Sequence, residues 1–518
     1  MDKIKILWAD DEIDLLKPHI IFLNEKGFHV DITNSGDEAL NMLKKEYFDI
    51  IFLDENMPGL SGLDTLNFIK NNHPGIPVVM ITKNETEHVM EEAIGSNIAD
   101  YLIKPVKPNQ ILLCLKKIFE NKELISKKTI SDYQQEFKNI GMAINEGLDF
   151  KGWSDIYKKI VFWELELERS KDESMEEVLN LQKQEANHTF CKYFEAHYPD
   201  WINGKTEKKP VFSHTLFKEK INPLFNDNTP LFIIVIDNFR YDQWKAVQPI
   251  IENKYRVEKD ELFLSILPSA THYSRNAFFA GLLPSEIEKK YPQLWLNEDD
   301  EGSKNIYEES LLAEQLKRLG KEDIKWKYSK ILGLDAAKRY MDTLPNLLSN
   351  KLNVLVYNFV DMLSHARTEM EIIRELASDE KAYRSLTVSW FEHSLLMEVI
   401  NFLAENKVNI VITTDHGSVQ VKNPVRVVGE RSTNSNLRYK IGKSLQYNKK
   451  EIYEIKNPQD VYLPKANVSS SYIFCRENDF FVYPNNQNHF SNYYKDTFQH
   501  GGISIEELMI PFIFLKAK

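Results

Sequence analysis

The chain has 518 residues, 42% of them hydrophobic and 27% charged, with a formal net charge of −12. At roughly 100–200 residues per domain this length predicts about three domains, and the composition excludes a disordered or fibrous chain. The acidic balance excludes a surface that is a nucleic-acid platform throughout, though not a local basic pocket.

Residues 1–120 alternate short apolar runs with amphipathic stretches. Strands are predicted at Ile4–Trp8, His29–Thr33, Ile50–Leu53, Val78–Thr82 and Tyr101–Ile103, with helical patterns such as Gly36–Lys45 and Asp64–Asn71 between them. Such alternation implies a doubly wound parallel sheet with helices on both faces. Asp10 and Asp11 follow the first strand, Asp54 ends the third in "IIFLDENMPGLSG", Thr82 ends the fourth and Lys104 follows the fifth in "YLIKPV". In that architecture the carboxyl ends of the strands line one crevice. Three carboxylates gathered there repel one another unless they share a cation such as Mg²⁺, an oxygen-seeking ion. A carboxylate beside Mg²⁺ and a lysine can attack a phosphoryl donor. Lys104-Pro105 is a candidate cis peptide.

These residues, in this order, resemble a response-regulator receiver domain with the flavodoxin-like fold, over essentially all of residues 1–120. The resemblance implies phosphorylation of Asp54 by a sensor histidine kinase, Mg²⁺ on Asp10, Asp11 and Asp54, and a switch pair of Thr82 and Tyr101. It also implies a phosphorylation-promoted homodimer built on the receiver's fourth-helix to fifth-helix face.

Residues 121–204 contain no strand pattern. "YKKIVFWELELERS" and "MEEVLNLQKQEANHTFCKYFEAHY" have helical periodicity and strong helix formers, so a helical-bundle linker is expected. It ends near the polar "PDWINGKTEKKP". No helix-turn-helix pattern follows the receiver, so duplex DNA binding is not expected.

Residues 205–518 return to α/β. "PLFIIVID", "LNVLVYNFVD" and "VNIVITTD" are buried-type runs that end at Asp237, Asp361 and Asp415. His416 follows Asp415 directly. His365 lies four residues after Asp361, on the same face if a helical turn starts there. His500 precedes Gly501-Gly502, and Thr271 in "LPSATHYSRNAFFAG" precedes a predicted helix, whose N-terminus favours anions. Asp415-His416 alone reads equally as a polar cap on a strand. With the others it makes three Asp, three His and one Thr. That donor set suits zinc, or manganese, and is too large for one tetrahedral ion but enough for two. Two metals about 4 Å apart can activate a nucleophile and stabilise a leaving oxygen on phosphorus.

"IDNFRYDQW", "PSATHYSRNA" and "TTDHG" resemble the PglZ-type domain of the alkaline phosphatase superfamily, over about 300 residues. That resemblance implies a Zn²⁺ pair, one ion held by Asp237, Asp415, His416 and the Thr271 oxygen, the other by Asp361, His365 and His500. It further implies Thr271 as nucleophile in a phosphodiesterase acting on a nucleotide or oligonucleotide. No cysteine stands in the nucleophile slot, which disfavours a sulfatase.

Other readings stay open at this level. Arg275 and Asn276, one turn after Thr271, could contact a substrate phosphoryl oxygen or face solvent. His272 reads as a surface or packing residue. His188, His197, His214 and His393 have no partner at ligand spacing. "IKWKYSKIL" is an amphipathic element or a base-stacking surface. The basic stretch 422–443 could cover an anionic substrate or be a solvated loop.

Cys114, Cys191 and Cys475 lie far apart with no CxxC pair, which predicts a reducing compartment. The opening "MDKIKILWADDE" does not read as a signal peptide, and no run approaches the ~20 apolar residues of a membrane helix. A cytoplasmic protein is expected. The order receiver, helical linker, PglZ-type domain resembles response regulators linked with type IX secretion. That implies either a hydrolase output or a phosphorylation-switched interaction platform whose shape is read by a sigma factor or secretion component.

Overall fold

The computed structural model describes residues 4–73, 75–83, 98–170, 175–226, 229–429, 434–465 and 469–518. The chain divides between Ser131 and Asp132 into two units. The first holds strands β1 (Lys5–Ala9), β2 (His29–Thr33), β3 (Ile50–Asp54), β4 (Val78–Thr82) and β5 (Asp100–Ile103). They pair in parallel in the order β2-β1-β3-β4-β5. Side chains alternate across a strand, so the central strands β1, β3 and β4 feed two cores. Ile6, Trp8, Ile50 and Phe52 pack on one face, and Leu7, Ala9, Ile51 and Leu53 on the other. The strand order reverses between β1 and β3, and a doubly wound sheet opens its crevice at that switch point. Asp10 and Asp54 flank it. Lys104-Pro105 is cis, as expected.

The expected boundary at residue 120 falls inside one helix, Pro108–Glu146. Two more helices, Phe150–Ser170 and Glu176–Ile202, account for the helical segment. They bury Trp153, Ile160, Phe190 and Phe194 in the same core as the sheet of the second unit.

That sheet contains β6 (Leu231–Ile236), β7 (Tyr255–Leu264), β8 (Trp326–Ile331), β9 (Leu352–Tyr357) and β10 (Asn409–Thr413). Smaller sheets pair β11 (Val419–Gln420) with β17 (Phe498–Gln499), and β12 (Asn423–Arg426) with β16 (Asp479–Val482). A third joins β13 (Tyr439–Gly442), β15 (Ser471–Cys475) and β14 (Ile452–Ile455), and the last strand, β18 (Met509–Ala517), returns to the main sheet. The main order is β7-β18-β10-β6-β9-β8. β10, β6, β9 and β8 run parallel, and β18 runs antiparallel to β10 and β7. β6 is buried along its whole length, as a central strand covered on both faces must be. The carboxyl ends of β10, β6 and β9 therefore lie side by side, and each leads into one of the acidic segments singled out above.

One expectation is corrected. "LNVLVYNFVD" is not a strand to its end: β9 stops at Tyr357 and a helix spans Phe359–Glu369. Phe359 stacks on Trp390 with ring centroids 4.0 Å apart, and Val360 is buried, which draws this segment out of the sheet. Asp361 sits in the first turn of that helix, with His365 one turn on. Cys114, Cys191 and Cys475 are buried free cysteines. No helix among the described residues is long and apolar enough to cross a membrane.

Candidate functional site

In the first unit, Asp10, Asp11 and Asp54 bring carboxylate oxygens within 4.8 Å of one another. Lys104 Nζ lies 2.8 Å from Asp54 Oδ1 and 3.0 Å from Asp10 Oδ2. Burial pushes the Asp54 carboxyl above its ordinary range although Lys104 opposes the shift. Burial also disfavours the Lys104 ammonium, but Asp54 and Asp10 outweigh it and hold its pKa up. Gly62 is required by close approach, since a Cβ there would lie 2.1 Å from the Asp54 carbonyl oxygen. The Thr82 hydroxyl donates to Glu55, a partner the strand pattern did not mark. Tyr101 is exposed. Residues 84–97, where the expected fourth helix falls, lie outside the described residues.

In the second unit two ligand groups adjoin. Asp237, Asp415 and His416 form a buried one, and Asp361, His365 and His500 a more open one, each with its ligand atoms within 4.8 Å. Asn238 spans between them, with Nδ2 3.5 Å from Asp361 Oδ1 and a left-handed φ of 61° that turns the chain directly after Asp237. The His416 and His500 rings stack at 4.2 Å. The Thr271 hydroxyl lies 2.9 Å from His416 Nε2 and 3.3 Å from Asp237 Oδ1. His416 Nδ1 is 2.9 Å from the Gly417 carbonyl, a contact that fixes the ring with Nε2 turned to the site.

Helix Thr271–Ala280 begins at Thr271, and the remainder of it is buried. Tyr273 and Ser274 N–H return to the Ala270 carbonyl, which leaves the N–H groups of Thr271 and His272 with no acceptor inside the helix. Outer contacts hold the ligand loops. Ser265 Oγ donates to the Asp415 carbonyl (2.8 Å), Thr414 Oγ1 to the His416 carbonyl (2.9 Å) and Ser269 Oγ to the Gly502 carbonyl (2.8 Å). A Cβ on Gly417 would lie 2.0 Å from the Glu506 carbonyl oxygen, so only glycine lets the chain pass there.

The electrostatics fit a cation. Asp415 Oδ2 is buried with no hydrogen-bond partner. Burial, reinforced by Asp237, pushes the Asp415 carboxyl up to about 6. Burial also raises Asp361, with Asp237 adding to it. Asp237 is itself buried, but the Arg275 guanidinium and His416 outweigh that and hold its carboxyl below the usual range. Burial, with His416 and His365 nearby, holds the His500 imidazole well below its ordinary value. Carboxylates crowded this closely, with a neutral imidazole among them, are what a divalent ion requires of its ligands.

Arg275 and Asn276 do not face solvent; each is 1% exposed. Arg275 bridges Asp237 Oδ2 and Glu308 Oε1, each at 2.6 Å. Asn276 is tied into the surrounding protein. Its amide nitrogen donates to the His272 and Lys304 carbonyls, and its oxygen accepts from Asn305. His272 packs on Trp295 and bonds the Leu296 carbonyl. His188 pairs with Glu477 at 2.6 Å. In "IKWKYSKIL", Tyr328 and Lys330 both reach Glu308. The basic stretch 422–443 runs through β12 and β13, its residues 430–433 lie outside the described residues, and Arg438 turns inward to Glu507 (2.6 Å).

Family models match the chain in three consecutive stretches. A response regulator receiver domain covers residues 6–116 and a PorX response regulator linker domain covers 123–202. A BREX system PglZ alkaline phosphatase-like domain covers residues 216–515, more than half of the chain. The chain belongs to the PglZ family. With the receiver and linker ahead of its PglZ domain, it has the makeup of a PorX-type response regulator. Receiver and alkaline-phosphatase-like domains generally bind divalent metals, and a receiver implies a kinase partner.

Curated relatives match a part of this PglZ protein. Transcriptional regulatory protein ZraR of Escherichia coli (strain K12) is 31% identical over 142 residues, 27% of this chain and 32% of its own length. Alginate biosynthesis transcriptional regulatory protein AlgB of Pseudomonas putida is 33% identical over 120 residues, 23% of this chain and 27% of its own. The chain thus spans about a third of the length of these curated relatives. Among solved structures, the chemotaxis response regulator CheY4 of Vibrio cholerae is 26% identical, covering 23% of this chain and 99% of its own, with a TM-score of 0.22.

Proposed function

We propose that this response regulator carries a two-zinc phosphodiesterase as its output, acting on nucleotide-type phosphodiesters with Thr271 as nucleophile. The observation that carries the reading is the Thr271 hydroxyl, set between Asp237 and His416 at a helix start and beside a second ligand group. Zinc ions bound there supply positive charge for the phosphoryl oxygens and for the Thr271 oxygen as it loses its proton. The other tasks belong to side chains and backbone. Thr271 Oγ1 attacks phosphorus in line, the ester P–O bond opposite it breaks, and the leaving alcohol departs with the proton that Thr271 gave up; water then splits the phosphothreonine, restoring the Thr271 hydroxyl and releasing the phosphomonoester. The N–H groups at the start of helix Thr271–Ala280 face the developing charge. Arg275, committed to Asp237 and Glu308, keeps Asp237 ionised and in place. The buried group Asp237–Asp415–His416 suits a retained ion, and the open group with exposed His365 suits an ion that also meets substrate.

The test is direct. Purified protein should contain about two zinc per chain and cleave bis(p-nitrophenyl) phosphate. Chelation should abolish the activity and zinc should restore it. Full activity in thoroughly chelated protein counts against the reading.

In the receiver, a sensor histidine kinase phosphorylates Asp54 with Mg²⁺ held by Asp10, Asp11 and Asp54. Lys104 meets the phosphoryl charge, and Thr82 and Tyr101 respond to it. Phosphorylation promotes a homodimer, and the output belongs to control of type IX secretion. A phosphate mimic should raise the dimer fraction in sedimentation velocity. One unchanged species with and without the mimic, or the same shift in Asp54→Asn, would remove this part.

A further inference from the structure

Three ligand-bearing segments of the second unit meet on one buried guanidinium. Arg240, three residues after Asp237, is 1% exposed. It grips Asp242 with two bonds, Nε to Oδ1 at 2.8 Å and Nη2 to Oδ2 at 2.5 Å. Its Nη1 reaches Glu380 Oε1 at 3.3 Å and the Ser418 carbonyl at 3.5 Å. Its Cζ lies 5.3 Å from the centre of the Phe498 ring. Ser418 is two residues past His416 and Phe498 two residues before His500. β11 and β17, which pair Val419 with Gln499, join those two segments to each other.

On its other side the same network ends on the linker helices. Asp242 also accepts from Arg384, and Arg384 donates to Glu164 (3.1 Å) and to Glu168 on helix Phe150–Ser170. Lys183 on helix Glu176–Ile202 bonds Glu164 at 3.2 Å and Glu380 at 2.5 Å. Asn187 on that helix makes a second tie. It donates to Glu506 Oε2 (3.2 Å) and accepts from Ile505 N–H (3.0 Å), and the Glu506 carbonyl is the atom packed against Gly417. A cavity of about 260 Å³, lined by Glu164, Lys183, Asn187, Glu380, Gln420 and Glu506, lies over these groups rather than over the metal ligands.

Stability alone does not call for such a network, because well-packed apolar residues of similar volume often serve as well or better. What charged forks add is direction, since a bidentate guanidinium tolerates little change in the angle or distance of its partners. We infer that Arg240 is a positioning residue of the metal centre. Through Asp242, Glu380, Arg384, Glu164 and Lys183 it sets the Asp237, Asp415–His416 and His500 segments against the linker helices, so that metal affinity and linker packing form one coupled equilibrium. This rests on the metal reading given above. Reciprocity of coupling then requires that metal binding tighten the linker helices by the same factor that the helices tighten the metal.

The test uses the full chain and Lys183→Met, a linker substitution that touches no ligand. Cobalt is titrated into metal-free protein and followed by its visible absorption, and hydrogen exchange is followed at residues 415–420 of the metal-free proteins. Lys183→Met should weaken cobalt binding by roughly tenfold or more, the range seen for outer partners of metal ligands, and speed exchange at 415–420. Lys183→Arg, which keeps a cation facing both Glu164 and Glu380, should retain both properties. A folded Lys183→Met protein with cobalt affinity within about twofold of wild type and unchanged exchange overturns the inference, leaving a static network. Should Lys183→Met fail to fold, the isosteric Glu164→Gln carries the same readouts. A wild-type chain that binds no cobalt overturns the metal reading instead, and the exchange rates of the metal-free proteins still decide the coupling.

Discussion

Thr271→Ala should lower the rate of phosphodiester cleavage by about 10⁴-fold or more, the size of effect seen when a catalytic nucleophile is removed. The hydroxyl is the atom placed between His416 Nε2 and Asp237 Oδ1. Thr271 itself is only half-buried, while the rest of its helix is packed into the core, so a mobile substrate meets a fixed nucleophile. The substitution removes one oxygen and leaves six carboxylate and imidazole ligands in place. Zinc content should therefore stay near the wild-type value, and phosphorylation of the receiver should be unaffected. Thr271→Ser keeps the hydroxyl and should retain a large share of the rate. The measurements are kcat/KM on bis(p-nitrophenyl) phosphate and metal content on the same samples. Equal rates for Thr271→Ala and wild type would end the proposed mechanism, whatever the zinc content.

Arg275→Met should destabilise the metal-free second unit by about 3–5 kcal/mol, the cost of breaking a buried ion pair from one side. The guanidinium is 1% exposed and lies 2.6 Å from both Asp237 Oδ2 and Glu308 Oε1, with Asp415 Oδ2 at 3.8 Å. Without it Glu308 keeps Lys330 at 3.2 Å and Tyr328, whereas Asp237 is left facing Asp415 and Asp361. Zinc should narrow the difference, because a cation at that site replaces the lost positive charge. Urea unfolding followed by tryptophan fluorescence reads this unit well, since seven of the eight tryptophans, all but Trp8, lie beyond residue 131. A loss below about 1 kcal/mol in the metal-free protein would show that Arg275 is dispensable to the buried carboxylates.

Much of the site was legible because its ligands interrupt simple patterns. Asp54 and Asp237 each end an uninterrupted apolar run and Asp415 ends one after two threonines, and an ionisable group in that place needs a partner, solvent or a cation. Asp361 was read as a strand end and lies in a helix, because the run "NFVD" suits either state and only the packing of Phe359 on Trp390 decides between them. The i, i+4 spacing to His365 still pointed to the pairing, since it needs only the helix. Glu308 was not legible. It sits in "EESLLAEQLKR", an ordinary amphipathic helix in which any acid could have faced solvent. Glu55 and Lys183 were missed for the same reason, since each reads as a surface charge whose partners come from distant segments; Arg240 has Asp242 two residues on, but its contacts with Glu380, Ser418 and Phe498 are equally distant in the chain.

Local pattern by itself determined the receiver sheet, the helical segment, the strands that lead to Asp237 and Asp415, and the residue types of two candidate ligand groups. Periodicity and punctuation are local properties and survive without a fold. Only the tertiary structure decided that β10, β6 and β9 are neighbours, that the helical segment shares a core with the sheet, and which side chain holds which ligand in place. Those outcomes depend on contacts between segments far apart in sequence, where the cost of burying a charge is settled by whichever opposite charge the packing delivers.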